Sequence, residues 1–313
     1  MRLQDSLVLP LYKGSTLRGG FGQAFKRIVC TVKNKNCEDC ILRSKCLYIY
    51  VFDTVPPNDT VIMRKYESIP RPFIIEPPLD NKRRYEEGEE IEFNLILIGR
   101  AIDYLPYFIY TFEELGKIGI GKTKGRFELN KVRNIKLLNG SSEGNLLYEG
   151  NSKILNSFEP EEVEVPDKIE SFSCSSIQDE LLLSFLTPTR IYYNEHLTPD
   201  LEFHILIRNL LRRISDLYYF HCENTLMKID FKEEIKGATD IKIKDKALGW
   251  YSWERYSSRQ KTKLNMGGFI GNITFSGNVG PFMPFIKAGE ILHVGKGTTF
   301  GLGKYEINNV NRI

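Results

Sequence analysis

Apolar residues alternate with polar ones or recur every three to four positions along most of this chain, which predicts short strands and amphipathic helices in succession. A short apolar strand is predicted at 6–11, a second strand lies in RPFIIEP at 71–77, and a helix is expected between them. Ser15 or Thr16 is positioned to cap that helix. Four apolar residues share its inner face: Leu17, Phe21, Phe25 and Ile28.

A pattern of elements recurs in the two halves. Residues 94–129 align without gaps to residues 272–307. Each copy has an alternating strand, a proline-initiated apolar helix, a glycine loop and a strand. The identical pairs are Asn94/Asn272, Gly99/Gly277, Pro106/Pro284, Gly119/Gly297, Gly125/Gly303 and Glu128/Glu306.

The second copy is preceded by a predicted strand at 179–193, a long helix at 201–221 with Arg208, Arg212 and Arg213 outward, and a strand at 247–260. Both halves therefore read strand, helix, strand, strand, helix, strand, which is the ferredoxin-like βαββαβ order. We predict an α+β chain with two tandem ferredoxin-like domains at 1–170 and 171–313. An acidic connector at 159–170 closes the first.

Composition agrees with this division. The 313 residues suit two domains of ordinary size, and a hydrophobic share of 42% is enough for two cores. No stretch approaches the length of a membrane span, and the start does not read as a signal peptide, so we expect a cytoplasmic protein. The net charge of +3 conceals basic segments at 13–45 and 250–313 on either side of an acidic segment at 139–180.

Four of the six cysteines fall close together, at Cys30, Cys37, Cys40 and Cys46. Disulfides are not expected in the cytoplasm, and four thiolates with one C-x-x-C pair favour a structural zinc knuckle in the first domain. An iron–sulfur cluster uses the same ligands, and unligated thiols are the third reading.

Two glycine loops differ in what they indicate. Residues 116–123 match the P-loop pattern, but a helix precedes and a strand follows, the reverse of what a P-loop requires, so ATP binding is disfavoured. The loop within 291–307 is rich in exposed N–H donors and predicts a cradle for a phosphate backbone. Its residues are Gly295, Lys296, Gly297, Gly301, Gly303 and Lys304.

Aromatic and basic residues alternate just before this loop. Arg255, Tyr256 and Arg259 favour RNA contact by stacking and charge, although alternate aromatics on a strand also fill cores. His293 enters the loop and is placed to exchange protons beside a phosphate. The alternative for His293 is a structural role at a helix end.

The motifs YKGSTLRGGFGQAF, RAIDYLPYF, GRFEL, WERYSSRQ and HVGKGTTFGLGKY, with the four cysteines, resemble the CRISPR-associated repeat-RNA-processing endoribonucleases of the RAMP superfamily, in its cysteine-containing branch. The resemblance implies two RAMP domains, binding of CRISPR repeat RNA and cleavage of the precursor into guide RNAs. It implies attack by the substrate's own 2′-hydroxyl without metal, leaving a 2′,3′-cyclic phosphate and a 5′-hydroxyl. No cofactor is then required for catalysis.

Relatives often use a histidine of the first domain, but no histidine precedes His196 here. Either His293 acts, or positioning and charge come from the first domain. The candidates there are Tyr12, Lys13, Arg18 and Lys26. The alternatives are a non-cleaving RNA-binding subunit of a CRISPR effector complex and a metal-cluster protein with no RNA role. We expect a monomer or homodimer.

Overall fold

The structure is a computed structural model that describes residues 1–33, 36–54, 56, 60, 69–136, 144–166, 180–257 and 262–308. It forms two compact units. The first comprises Met1–Glu162 and Phe220–Cys222, and the second comprises the rest of the described chain. The predicted boundary near residue 170 falls outside the described residues.

The first unit contains two long helices and short paired strands. Its elements are β1 (Arg2–Leu3), β2 (Leu7–Val8), α1 (Gly14–Val29), a π-helical turn (Ile49–Asp53), β3 (Phe73–Glu76), β4 (Arg84–Tyr85), β5 (Asn94–Leu97), α2 (Leu105–Ile118), β6 (Phe127–Glu128), β7 (Lys131–Asn134), β8 (Asn145–Glu149) and β9 (Ile154–Leu155). The predicted strand at 71–77 is confirmed as β3. The strand predicted at 6–11 is only two residues long in the structure, as β2.

Strand pairing in this unit runs through its first residues. β3 pairs antiparallel with β5, and β1 pairs antiparallel with β6. The segment just before β5 joins the two ladders, because Arg2 bridges Glu90 and the Ile91 amide donates to the Met1 carbonyl at 2.9 Å. The neighbour order is therefore β3, the segment leading into β5, β1 and β6.

Helix α1 packs its apolar face into an aromatic core. The predicted inner residues Leu17, Phe21 and Phe25 are buried, and Ile28 is half-buried. The predicted cap is wrong: the N-cap residue is Lys13, without a side-chain cap, and Lys13 O accepts from the Thr16 and Leu17 amides. The rings around Phe21 are those of Phe25, Phe52, Phe73, Phe108 and Phe112.

The second unit is built on longer strands. Its elements are β10 (Glu180–Thr189), β11 (Ile191–Tyr193), β12 (His196–Thr198), α3 (Phe203–Leu217), α4 (Phe231–Gly237), β13 (Lys242–Tyr251), β14 (Glu254–Ser257), β15 (Thr262–Asn265), β16 (Gly268–Ser276), α5 (Met283–Leu292) and β17 (Tyr305–Asn308). Four strands form one antiparallel sheet in the order β13, β16, β10, β17. That is the strand order of a split βαβ sheet.

The core of the second unit lies under this sheet. Leu183 in β10 stands opposite Ile273 in β16 and Ile307 in β17, and α3 and α5 cover their buried face. Arg213 is buried within α3, so its predicted outward position is wrong. The strand predicted at 247–260 is divided, since β13 ends at Tyr251 and β14 begins at Glu254.

The two aligned segments share local backbone features. Helices α2 and α5 each carry a proline in their first turn, and the loops after them contain Gly119 at φ 82° and Gly297 at φ 83°. Because α2 precedes residues 116–123 and β6 follows, the P-loop arrangement is absent from this described segment, as the sequence predicts. Within the described residues, no helix combines the length and apolarity needed to cross a membrane.

Candidate nucleic-acid interface

The glycine loop after α5 has a backbone that only glycine adopts comfortably. Gly295, Gly297, Gly301 and Gly303 have φ between 77° and 84°. A Cβ at Gly303 would lie 1.9 Å from the Val294 carbonyl oxygen, and one at Gly295 would lie 2.4 Å from that of Arg190. The close approach of backbone to backbone therefore fixes these residue types.

Hydrogen bonds close the loop on itself, so the prediction of exposed N–H donors is wrong for Val294, Lys296, Phe300, Gly301 and Gly303, whose amides all donate to backbone carbonyls. The Val294 amide donates to Gly303 O at 3.0 Å, and the Lys296 amide donates to Arg190 O at 2.8 Å. The His293 ring is fully buried, and its Nδ1 donates to Leu302 O at 3.0 Å. His293 thus fastens the two ends of the loop, and its enclosure favours the structural reading of this residue.

The hairpin of β14 and β15 supplies a cation to the same loop. The guanidinium of Arg255 lies over the Phe300 ring, 4.7 Å from its centre. Burial lowers the pKa of Arg255, and its Nε has no hydrogen-bond partner in the described part of the chain. The predicted RNA contacts Tyr256, through its side chain, and Arg259, as a whole, lie outside the described residues.

A second group of cations lies between helix α3 and the loop. The charges of Arg212, Arg213 and Lys296 act on the buried carboxylate of Asp216, and Arg212 Nε lies 3.9 Å from its Oδ2. Burial raises the pKa of Asp216 to about 6 against the opposing effect of these cations, and burial lowers the pKa of Arg213 to about 10. Packing around the Lys296 ammonium and the charge of Arg212 also lower the pKa of Lys296.

In the first unit, one face of α1 combines cations with aromatic rings. The Arg18 guanidinium lies 4.8 Å from the centre of the Phe52 ring, and the Lys26 ammonium lies 5.2 Å from that of Tyr48. Tyr48 and Phe52 stack on each other at 5.3 Å. Gly22 lies between the two cations, where a Cβ would come within 2.9 Å of Phe52. Both cations are half-buried and reach the surface.

Lys13 is fully buried at the start of α1. Its Nζ donates to Asp80 O at 2.8 Å and to Asp80 Oδ1 at 3.1 Å. Tyr85 donates to the same carboxylate at 3.1 Å. Burial would raise the pKa of Asp80, but these hydrogen bonds lower it below its ordinary value. This placement gives Lys13 a structural partner, whereas Tyr12 beside it is half-buried.

The four cysteines lie in a series of turns. All are half-buried, and the Cys40 amide donates to Cys37 O at 3.5 Å. Their thiolate donors suit zinc, but among the described residues no three His, Cys, Asp or Glu side chains converge to hold a metal ion. The pKa of Lys26 is raised overall. Burial lowers this pKa, but Cys37, Tyr48 and Cys30 raise it by more, so Cys37 is a neighbour of this lysine.

The histidines of the long predicted helix are packed side chains. Helix α3 ends at Leu217 and a π-helical turn, Tyr218–Cys222, follows it. His221 is fully buried in the first unit, where its Nε2 donates to Pro70 O at 2.8 Å and its Nδ1 lies 3.3 Å from the Tyr50 hydroxyl. His204 contacts Tyr193 and Glu202.

The structure brings together part of the predicted site. Arg255, Lys296 and the loop glycines meet in the second unit, and Tyr12, Lys13, Arg18 and Lys26 lie along α1 in the first. Sequence reasoning missed the contributions of Arg190, Asp216 and Phe300 to the loop. Spacing gives no signal for these contacts, because each joins residues that are distant along the chain.

Comparisons with known proteins agree with this organisation. Residues 183–305 match the family described as CRISPR-associated endoribonuclease Cas6, and residues 1–160 match the AF_1859_N family of N-terminal domains. The chain is 23% identical over 312 residues to an uncharacterised protein of Archaeoglobus fulgidus, covering 96% of this chain and 93% of that protein.

Solved structures share the fold. A Thermus thermophilus Cas6 in a product complex superposes with a TM-score of 0.52 at 16% identity, covering 97% of each chain. A Cas6-RT-Cas1–Cas2 complex gives a TM-score of 0.56 at 14% identity over 99% of this chain and 28% of the other. Both likenesses extend over nearly all of this chain.

Proposed function

Because this chain belongs to the Cas6 family of CRISPR-associated proteins, we propose that it binds CRISPR repeat RNA and cleaves the precursor transcript into guide RNAs. The observation that carries the proposal is that the Cas6 match at 183–305 contains the glycine loop together with Arg255, Arg212 and Arg213. The stacked arginine and the excess positive charge suit a phosphate backbone. The neighbour order of strands in both units supports two tandem ferredoxin-like domains.

The reaction we propose is attack of a 2′-hydroxyl on the adjacent phosphate. The new P–O2′ bond forms as the P–O5′ bond breaks, which leaves a 2′,3′-cyclic phosphate and a 5′-hydroxyl. This chemistry needs a group that takes the 2′ proton, a group that protonates the leaving 5′-oxygen, and positive charge at the phosphate. It requires no metal in principle.

Among the candidate residues, Arg18 and Lys26 are the best placed to supply charge. Both reach the surface of α1 and both lie over aromatic rings, whereas His293 and Lys13 are enclosed. The two residues are eight positions apart on the helix, a rise of about 12 Å along its axis. We assign Arg18 or Lys26 to the scissile phosphate and the other to a neighbouring one, with the Tyr12 hydroxyl as the candidate for proton transfer.

The test is to incubate the protein with its genomic repeat RNA in excess EDTA and to map the product ends. A single cut with a cyclic phosphate end is the expected result. Arg18→Ala and Lys26→Ala should slow single-turnover cleavage, while Arg27→Ala, an exposed cation on the same helix, should not. Metal-dependent cleavage or products with other ends would contradict the proposed chemistry.

His293 gives a separate decision. A His293→Ala variant that cleaves at the wild-type single-turnover rate would remove His293 from the chemistry. A variant that binds RNA normally and does not cleave would restore it as the proton-transfer residue.

The enclosure of His293 also favours the second candidate function, an RNA-binding subunit that does not cut. In that case the same incubation yields a tight complex with intact RNA. The partner would then be a CRISPR effector complex.

We propose in addition that Cys30, Cys37, Cys40 and Cys46 bind zinc as a structural ion. The bound zinc would draw the two ends of their segment together. Metal analysis of the purified protein should find about one zinc per chain. Cys37→Ser with Cys40→Ser should lose it, and Cys222→Ser, an exposed thiol outside the group, should retain it. A brown protein with visible absorbance would instead indicate an iron–sulfur cluster.

A further inference from the structure

The charged group beside the glycine loop has more positive charge than it can neutralise. Three cations, Arg212, Arg213 and Lys296, share the single carboxylate of Asp216. Arg212 and Lys296 are exposed and Asp216 is buried. A partly desolvated net charge of this sign attracts an anion more strongly than the same charges do in open solvent.

The contact between Arg212 and Asp216 is long. Arg212 Nε lies 3.9 Å from Asp216 Oδ2, which exceeds a hydrogen bond. A phosphate can take two parallel N–H bonds from one guanidinium, so it is a better acceptor for Arg212 than this carboxylate.

Arg213 has a different part in the arrangement. Its Nε donates to Leu292 O at 2.8 Å, the last carbonyl of α5 before His293, so it holds the entrance of the loop. Its Nη2 is buried and has no hydrogen-bond partner among the described residues. Arg213 thus contributes charge from below and positions the loop that carries Lys296.

We propose that Arg212 and Lys296 bind a phosphodiester group of the RNA. Without RNA, the carboxylate of Asp216 is the counter-ion of these cations, and the phosphate replaces it as their partner. Arg213 is a positioning residue beneath them. The inference rests on the proposed function, because it takes the RNA to lie along the glycine loop. It adds a phosphate subsite formed between α3 and the loop, in which the protein's own carboxylate competes with the ligand.

The experiment measures the affinity for repeat RNA by fluorescence anisotropy at several salt concentrations. Arg212→Gln and Lys296→Gln should weaken binding several-fold, and each should lower the slope of log Kd against log salt by about one. Asp216→Asn should tighten binding, because it removes the competing charge. Arg208→Gln is the matched control, since Arg208 is exposed on the same helix and lies over the Tyr193 ring at 5.7 Å.

The sign of the Asp216→Asn effect separates this subsite from a structural role. Loss of structure would weaken RNA binding in all three variants and lower their melting temperatures, and that result would overturn the proposal. Wild-type protein that binds and cleaves RNA, with Arg212→Gln and Lys296→Gln equal to Arg208→Gln, would overturn the subsite and leave the function intact. Wild-type protein that binds no RNA would overturn both.

Free phosphate is the other source of the same chemistry. Inorganic phosphate, titrated against chloride at equal ionic strength, should compete with RNA for the wild type and less for Arg212→Gln. Phosphate that binds at the group without displacing RNA would show that the group takes free phosphate only, and the RNA assignment would then be wrong.

Discussion

The guanidinium of Arg255 lies 4.7 Å from the centre of the Phe300 ring, which joins the β14–β15 hairpin to the glycine loop. The two residues are far apart in sequence, and each belongs to a segment that the sequence marks for RNA contact. Their stacking means that the hairpin and the loop present their charges on one surface of the second unit.

Arg255→Ala and Phe300→Ala are each expected to weaken repeat-RNA binding, by roughly tenfold for the arginine, because both remove the stacked cation. The double variant should be little worse than Arg255→Ala alone, since the two residues act as one unit. Lys263→Ala in β15 is the control, being an exposed cation of the same hairpin paired with Glu254. Additive losses of RNA affinity in the double variant would show that the two residues contribute independently and that their stacking does not determine binding.

Gly303→Ala should disrupt the loop. Its Cβ would meet Val294 O at 1.9 Å at a φ of 77°, so we expect a loss of stability above about 2 kcal/mol and weaker RNA binding. Gly249→Ala in β13 has open space around the new Cβ and should change neither. Thermal melting and anisotropy measure the two effects, and a Gly303→Ala protein that behaves as wild type would contradict the observed backbone.

Asp216 should make stability depend on pH. Its pKa is raised by burial to about 6, so the folded state binds its proton more tightly than the unfolded chain does. The stabilisation is complete below about pH 4 and is lost as pH rises through 6, up to about 3 kcal/mol by pH 7. The charged groups that face Asp216 are Arg212, Arg213 and Lys296. Urea unfolding from pH 4 to 8 should show this component in the wild type and lose it in Asp216→Asn.

The buried Lys13 predicts an asymmetry between two substitutions. Asp80→Ala leaves an ammonium in the core with only carbonyl partners and should cost about 2–3 kcal/mol. Lys13→Met removes the buried charge and leaves Asp80, which is half-exposed, to water, so its cost should be smaller. Denaturant midpoints of the two variants test the order. The reverse order would mean that Lys13 is not the group that depends on the pair.

What could be predicted from sequence is local in origin. Proline in the first turns of α2 and α5 and glycines at positive φ are set by backbone sterics, so these shared features of the aligned segments and the reversed P-loop pattern were correctly predicted. The N-cap of α1 was not correctly predicted, because Lys13 at that position is held by Asp80, which lies far along the chain. The burial of Arg213 was also not predicted, since it depends on the Leu292 carbonyl of a different helix. Contacts of this kind have no signal in spacing.

Because Phe220–Cys222 belongs to the first unit, it matters where the chain is divided into fragments. A fragment that stops at Glu162 lacks His221, which donates to Pro70 O and contacts the Tyr50 hydroxyl in the intact first unit. A fragment that starts at Val163 carries His221 without those partners. A single cut between Glu162 and Val163 therefore does not give two fragments that each contain one complete unit.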